Sequence, residues 1–313
     1  MKTLLALLAA CFYLPVVYGQ LNTDIFLFTL KIDGNNLTES EPLNVTKRPG
    51  YDNQPFFSTN GKWIYYSASY NGTNDVYAYD IEANKTLTIT NTPATSEFSP
   101  METFDGNAVT CVFIEKDSTT QRIWKINLRD RKEKLLTKHN DSIGYYWPVQ
   151  REWESDEWMS NGRGLRKVST EPEYAVFVLG NKDANSTLRL ISPQRRLAPE
   201  KIIDDSVGRC IRQIEHYITY VKKAEDGCYL KFYDLHSRKI TYSFYLGKDN
   251  EDYCWKGKTL FFTSGGNVVV VDFEKGYDKP ETMGFVDLSK YNIKNAKRIS
   301  NYGNKFAVVA DDQ

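Results

Sequence analysis

Apolar and small or polar residues alternate in short runs along most of this chain, the period of half-buried β-strands, and Gly-marked turns separate the runs. The clearest example is Tyr51 to Asp80. Asn60-Gly61, a pair suited to a two-residue hairpin, lies between Gln54 to Ser58 and Lys62 to Ser67, which predicts two antiparallel strands. Asn71-Gly72 opens a second turn before Asp75-Val-Tyr-Ala-Tyr-Asp80, the third strand. Glu82-Ala83-Asn84 then leads into Thr86 to Thr90, the fourth and outermost. A meander of four strands cannot bury both faces alone, so it requires similar neighbours on either side.

Those neighbours are encoded. The third-strand pattern recurs from Asp24, Arg122, Leu188, Tyr229 and Asn267, at spacings of roughly 40 to 65 residues, the range of a four-stranded propeller blade. The hairpin ahead of it recurs at Phe104-Asp-Gly106, Trp255-Lys-Gly257 and Tyr302-Gly303, and the fourth-strand ending recurs as Leu43 to Thr46 and Lys134 to Thr137. The strand at Asp24 has no first or second strand before it, while a first and second strand from about Ala296 to Ala310 end the chain. The two ends therefore complete one blade, a closure that removes free sheet edges. The fold class expected is all-β, a six-bladed β-propeller of four-stranded antiparallel blades. Its blades run Tyr51 to Thr92, Ser96 to Lys138, Ser142 to Asp204, Asp205 to Gly247 and Asn250 to Leu288, plus the composite one.

The first residues have a different character. Lys2 and the apolar run Leu4 to Tyr18, with Val17 and Gly19 before the expected cut, have the form of a secretory signal peptide. The run is short for a bilayer span and contains Pro15. Residues 1–19 are expected to be removed and 20–313 to form one propeller domain, periplasmic or secreted and not inserted in a membrane. With 40 Lys and Arg against 40 Asp and Glu, the chain carries no electrostatic footprint for nucleic acid or an anionic membrane.

Of five cysteines, Cys11 leaves with the leader. Cys111, Cys210, Cys228 and Cys254 contain no Cys-x-x-Cys pair, so neither a metal nor a cofactor is expected. Each falls in or beside a strand, where a buried small apolar residue is a simpler reading than a disulfide. There is no Gly-x-Ser-x-Gly elbow and no His-Glu-x-x-His, and the three histidines, His139, His216 and His236, read as surface residues in turns or at a strand start.

Across nearly all of the mature chain, the succession Arg48 to Phe57, Asn91 to Pro100, Phe177 to Gly180, Val207 to Arg209 and Glu251 to Trp255 resembles the exported TolB-like propeller proteins of Bacteroidetes, built from WD-repeat-like blades. The resemblance implies a six-bladed propeller without a further N-terminal domain and without a characterised reaction. Where such relatives carry Gly-Tyr-His before the third blade's Trp, Gly144-Tyr145-Tyr146-Trp147 stands here, so a central histidine is missing. An added segment, Val149 to Ser169, carries Trp153 and Trp158 and lengthens that blade's first hairpin.

In a propeller the innermost strands line a channel, and residues leading into them ring one mouth. The candidate binding residues there are Tyr51, Asp52, Asn53, Glu97, Tyr145, Tyr146, Arg209, Glu251, Asp252, Tyr253 and Arg298. Such groups satisfy strand ends and one another in a narrow wet channel; equally, a cup of acids, arginines and rings holds a sugar, a peptide end or a cation. The expectation is an exported, non-catalytic monomer that binds a protein partner or a small polar ligand at the channel mouth. The alternative is a carbohydrate-active enzyme, a glycoside hydrolase or lyase, with carboxylates such as Glu97 and Glu251 as acid and base.

Overall fold

The computed structural model describes residues 22–34, 36–70, 72–138, 142–150, 173–180, 185–192 and 201–311. The chain opens with β1 (Thr23–Asp33), β2 (Asn36–Glu39) and β3 (Leu43–Asn44). The first complete blade is β4 (Asp52–Phe57), β5 (Trp63–Tyr70), β6 (Thr73–Asp80) and β7 (Lys85–Thr88). The second is β8 (Ser96–Glu102), β9 (Ala108–Ile114), β10 (Gln121–Asn127) and β11 (Glu133–Leu135). The third is β12 (Ile143–Val149), β13 (Glu173–Val178), β14 (Thr187–Ile191) and β15 (Lys201–Asp205). The fourth comprises β16 (Val207–Ile214), β17 (Tyr217–Ala224), β18 (Gly227–Asp234) and β19 (Ile240–Gly247). The fifth comprises β20 (Tyr253–Lys256), β21 (Thr259–Ser264), β22 (Asn267–Asp272) and β23 (Glu281–Asp287), and β24 (Arg298–Tyr302) and β25 (Lys305–Asp311) end the chain.

The ends do share a blade. β1 runs antiparallel to β25 from the Thr23–Asp311 pair to the Thr29–Lys305 pair, giving the order β24-β25-β1-β2. Its outer strand comes in two pieces, β2 on Leu30 to Asp33 and β3 on Phe26 and Leu27.

Six clusters of buried side chains fill the six blade interfaces, and their order closes the ring. Ile25, Ala307 and Val309 of the composite blade pack on Ile64, Ala68 and Tyr79 of the first. On its other side Phe28 and Phe306 meet Phe261 of the fifth, with the Phe261 and Phe306 ring centroids 4.7 Å apart.

Two side-chain devices explain why the strand pattern repeats. The Asp or Asn that ends a third strand caps the following turn: Asp80 Oδ1 accepts from the Glu82 and Ala83 amides, and Asn127 Oδ1 from those of Arg129 and Asp130. A threonine just past the fourth strand locks that strand's end to the third. Thr46, Thr90 and Thr137 Oγ1 accept from the amides of Ile25, Val76 and Ile123 at 3.0, 2.7 and 2.9 Å. In each case the preceding amide, of Val45, Ile89 or Leu136, donates back to the same residue's carbonyl at 2.9 Å.

Asn60-Gly61 does not form the expected two-residue hairpin. Phe57 pairs with Ile64, and the Ser58 amide donates to the Trp63 carbonyl at 2.9 Å, leaving a four-residue loop. Ser58 is the cause, because its Oγ accepts from the amides of Lys62 and Trp63 and holds the loop open. Gly61, at φ +66°, is required by contact as well as conformation: a Cβ there would lie 2.2 Å from the Tyr302 ring. Between the second and third strands of this blade, by contrast, Tyr70 pairs directly with Thr73.

Cys111, Cys210, Cys228 and Cys254 are buried free thiols. Burial pushes Cys210 up to about 12 and Cys111 and Cys254 well above the ordinary thiol value, so all three stay protonated. Among the described residues no helix is long and apolar enough to cross a membrane. The leader, His139 and the added segment beyond Gln150, with Trp153 and Trp158, lie outside the described residues.

Candidate functional site

The first strand of each blade is the inner edge of its sheet, so a missing amide is tolerated there, and Pro55, Pro100 and Pro148 all lie on first strands. In four blades the register between first and second strands shifts, between Asn53 and Phe56, Phe98 and Met101, Ile143 and Tyr145, and Val207 and Ile211. A bulge re-aims the side chains beside it. Gln54 and Ser99, at φ 59° and 54°, occupy two of these irregularities, and Gln54 Oε1 accepts the Ser99 amide at 2.7 Å.

Two cavities succeed each other along the channel. The one toward the expected mouth holds ≈ 40 Å³, room for roughly three waters, and is lined by Gln54, Ser99, Tyr145, Tyr146, Arg209, Arg212, Asp252 and Arg298 among others. Arg298 Nη2 donates to the Tyr145 hydroxyl at 3.0 Å, and its Nη1 lies 3.5 Å from Asp252 Oδ2. Asp252 Oδ1 accepts the Ile299 amide at 3.3 Å. Arg209 is held more loosely, its Nε 4.0 Å from Asp252 Oδ2 and without a hydrogen bond. Tyr51 feels both arginines, but burial dominates and pushes its hydroxyl up to about 12, so it remains a neutral phenol.

The second cavity is larger, ≈ 260 Å³, and opens at the opposite mouth, where the first strands end. Its walls are aromatic: Phe56, Phe104, Trp147, Trp255 and Tyr302. Glu102 also lines it, but its carboxylate is occupied by the Thr59 amide and hydroxyl and by the Tyr65 hydroxyl, at 2.6, 2.7 and 3.0 Å. Arg212 lines both cavities. Its Nη1 donates to the Ile211 carbonyl at 2.9 Å and its guanidinium lies 4.9 Å from the Trp147 ring centroid.

The structure thus brings Tyr51, Tyr145, Tyr146, Arg209, Asp252 and Arg298 together and places the remaining candidates in other contacts. Asp52 is buried against Arg48 at 2.7 Å. Asn53 Oδ1 accepts the next residue's amide, and the Tyr253 hydroxyl donates to Thr219 at 2.9 Å. Glu251 pairs with Lys223 at 2.7 Å. Glu97 lies fully buried among threonines, accepting from Thr90, Thr92 and Thr95 hydroxyls at 3.0, 2.7 and 2.6 Å. Burial pushes its carboxyl up to about 7 against the pull of those hydroxyls. Arg212, Gln54, Ser99 and the aromatic mouth were not candidates from sequence. Arg209 and Arg212 stand three apart, which in a regular strand puts them on opposite faces; the bulge brings both to the channel.

Six four-stranded antiparallel sheets in a ring around a central channel define a six-bladed β-propeller. No known sequence family and no curated protein matches the chain. Among solved structures it is similar to the putative TolB from Agrobacterium tumefaciens, at 13% identity over 94% of this chain and 99% of that one, with a TM-score of 0.58. A chain from the nidogen/laminin complex matches at 10% identity over 93% of this chain and 99% of that one, TM-score 0.60. TolB from Acinetobacter baumannii matches at 10% identity and TM-score 0.51, with 93% of this chain spanning 64% of that one. At such identities the likeness establishes the fold alone, and that fold includes TolB-like propellers.

Proposed function

We propose that this chain is an exported binding protein whose central channel receives an anionic group of a protein partner or small polar ligand. The observation that carries this reading is Arg212, which lines both cavities and whose guanidinium donates to the Ile211 carbonyl, with no carboxylate hydrogen-bonded to it among the described residues. Burial opposes its charge, and Asp252 offsets that only through space while also facing Arg209 and Arg298, so an incoming carboxylate or phosphate adds the paired N–H···O bonds that Asp252 does not supply. Among the described residues lining the inner cavity, Arg209, Arg212 and Arg298 face one carboxylate, Asp252. The aromatic wall of the wider mouth suits the apolar part of such a partner. A protein partner is favoured because one similar propeller comes from a complex between two proteins.

Glycoside hydrolysis would need two carboxylates facing one substrate. Glu97 is enclosed by its threonines and Glu251 is paired with Lys223, and neither lines a described cavity of the channel, so binding is the better-supported function. Crosslinking of the native protein in its host, followed by affinity measurement on the recovered partner, tests this. Arg209→Ala weakens a channel ligand by on the order of 2 kcal/mol, and product release from any glycan would overturn the reading. Export rests on the apolar run Leu4 to Tyr18. Secreted material should have the intact mass of a chain beginning at Gln20, and one retaining Met1 to Gly19 refutes that step.

A further inference from the structure

The chain has three histidines, and the fold brings two of them together on the fourth blade, apart from both channel cavities. His216 lies in the turn between β16 and β17, and His236 in the turn between β18 and β19. The Leu235 amide donates to the His216 carbonyl at 3.0 Å, which ties the two turns to each other. Their imidazole rings stack with centroids 4.8 Å apart and planes within 5° of parallel. Asp234, the last residue of β18, completes the cluster. A ligand atom from each of the three side chains lies within 4.8 Å of the other two.

We infer that His216, Asp234 and His236 form a binding site for a divalent transition-metal ion of the zinc type. Two imidazoles and one carboxylate are a donor set suited to zinc and its first-row neighbours, and three protein ligands leave a coordination position for water. Bonds of about 2.0 to 2.2 Å in a tetrahedral arrangement require ligand atoms roughly 3.3 Å apart. The cluster therefore has to tighten by on the order of 1 Å, which rotation of two side chains in adjoining turns accomplishes without moving a strand. The carboxylate is already oriented, because Asp234 Oδ1 accepts the amides of His236 and Ser237 at 2.7 and 3.1 Å, the kind of outer support that fixes a metal ligand. The neighbouring acid Glu215 does not compete, being engaged by Lys258 at 3.4 Å and by the Tyr277 hydroxyl at 3.2 Å. His236 is exposed, so an ion enters from solvent. No metal is expected from the sequence because no Cys-x-x-Cys pair is present; this cluster departs from that expectation by using imidazoles and a carboxylate in place of thiolates.

The test is titration of chelator-stripped protein with zinc chloride in competition with a chromogenic zinc chelator. Wild type takes up one equivalent, and its melting temperature rises with zinc concentration as linkage requires. His236→Ala and His216→Gln each lower zinc affinity by more than the roughly 10- to 100-fold that loss of an outer-shell partner produces. His139→Ala, the third histidine, leaves uptake unchanged. Melting without zinc shows that each variant is folded, and the exposed His236 position carries the test if His216→Gln does not fold. No zinc uptake by wild type, uptake that survives both substitutions, or uptake lost in His139→Ala overturns the assignment.

Discussion

Replacing Glu97 by Gln isolates a buried carboxylate whose pKa is strongly raised. The side chain is fully buried, and its oxygens accept from the hydroxyls of Thr90, Thr92 and Thr95, with Asp75 beside them sharing the Thr92 hydroxyl at 3.2 Å. Burial raises its pKa from 4.5 to about 7, the hydroxyls oppose the rise, and the Asp75 charge adds to it. Because the folded value lies above the unfolded one, the native state holds the extra proton between them. The stability this proton contributes is complete below about 4.5 and is lost as pH rises through about 7. An interval of that size corresponds to about 3 kcal/mol. Gln resembles the protonated acid in shape and charge, so Glu97→Gln is free of that loss. Urea denaturation of both proteins at about pH 5 and pH 8 should show the variant gaining about 2 to 3 kcal/mol on wild type over the interval. Stabilities that run parallel across the two pH values would mean that Glu97 is already ionised among its threonines and that burial does not raise its pKa.

Deleting Gln20 to Lys31 should unfold the whole ring: it removes Ile25, Phe26, Phe28 and Leu30, all buried, at roughly 1.5 to 3 kcal/mol each, against a typical total stability of about 5 to 15. A truncated chain that stays monomeric and melts like wild type contradicts the shared blade. Thr137→Val leaves the buried Ile123 amide without its side-chain acceptor and should lower stability by about 1 to 3 kcal/mol in chemical denaturation, whereas an unchanged midpoint would show that the threonine lock is dispensable.

The blades were legible because their signals are local. Alternation, Asp- or Asn-capped turns and the terminal threonine each act within one meander, so Asp75 to Asp80 and Arg122 to Asn127 announce the same element wherever they occur. The shared blade was legible for the same reason, since Asp24 began a third strand with nothing before it. The channel lining was only half legible because bulges break the alternation where it would tell inside from outside. Arg212, Gln54 and Ser99 reach the channel through such irregularities. Phe104 and Tyr302 stood in the sequence as hairpin signals, and only the ring shows that these hairpins surround the wider mouth. Glu97 and Glu251 looked like a pair of channel carboxylates because both precede or begin a first strand, but each finds nearer partners between blades.

The most direct test of the central claim is equilibrium binding to an array of peptides and glycans graded from acidic to basic, with wild type, Arg212→Ala and Lys132→Ala measured together. Lys132 is exposed and lines neither channel cavity, so its loss controls for general charge. If the channel receives an anion through Arg212, wild type and Lys132→Ala select the acidic probes alike. Arg212→Ala loses that selection by on the order of 2 kcal/mol, about 30-fold in affinity, with its melting temperature retained. Selection of acidic probes that persists in a folded Arg212→Ala protein, or a wild-type preference for neutral or basic probes, would contradict an anion-receiving channel.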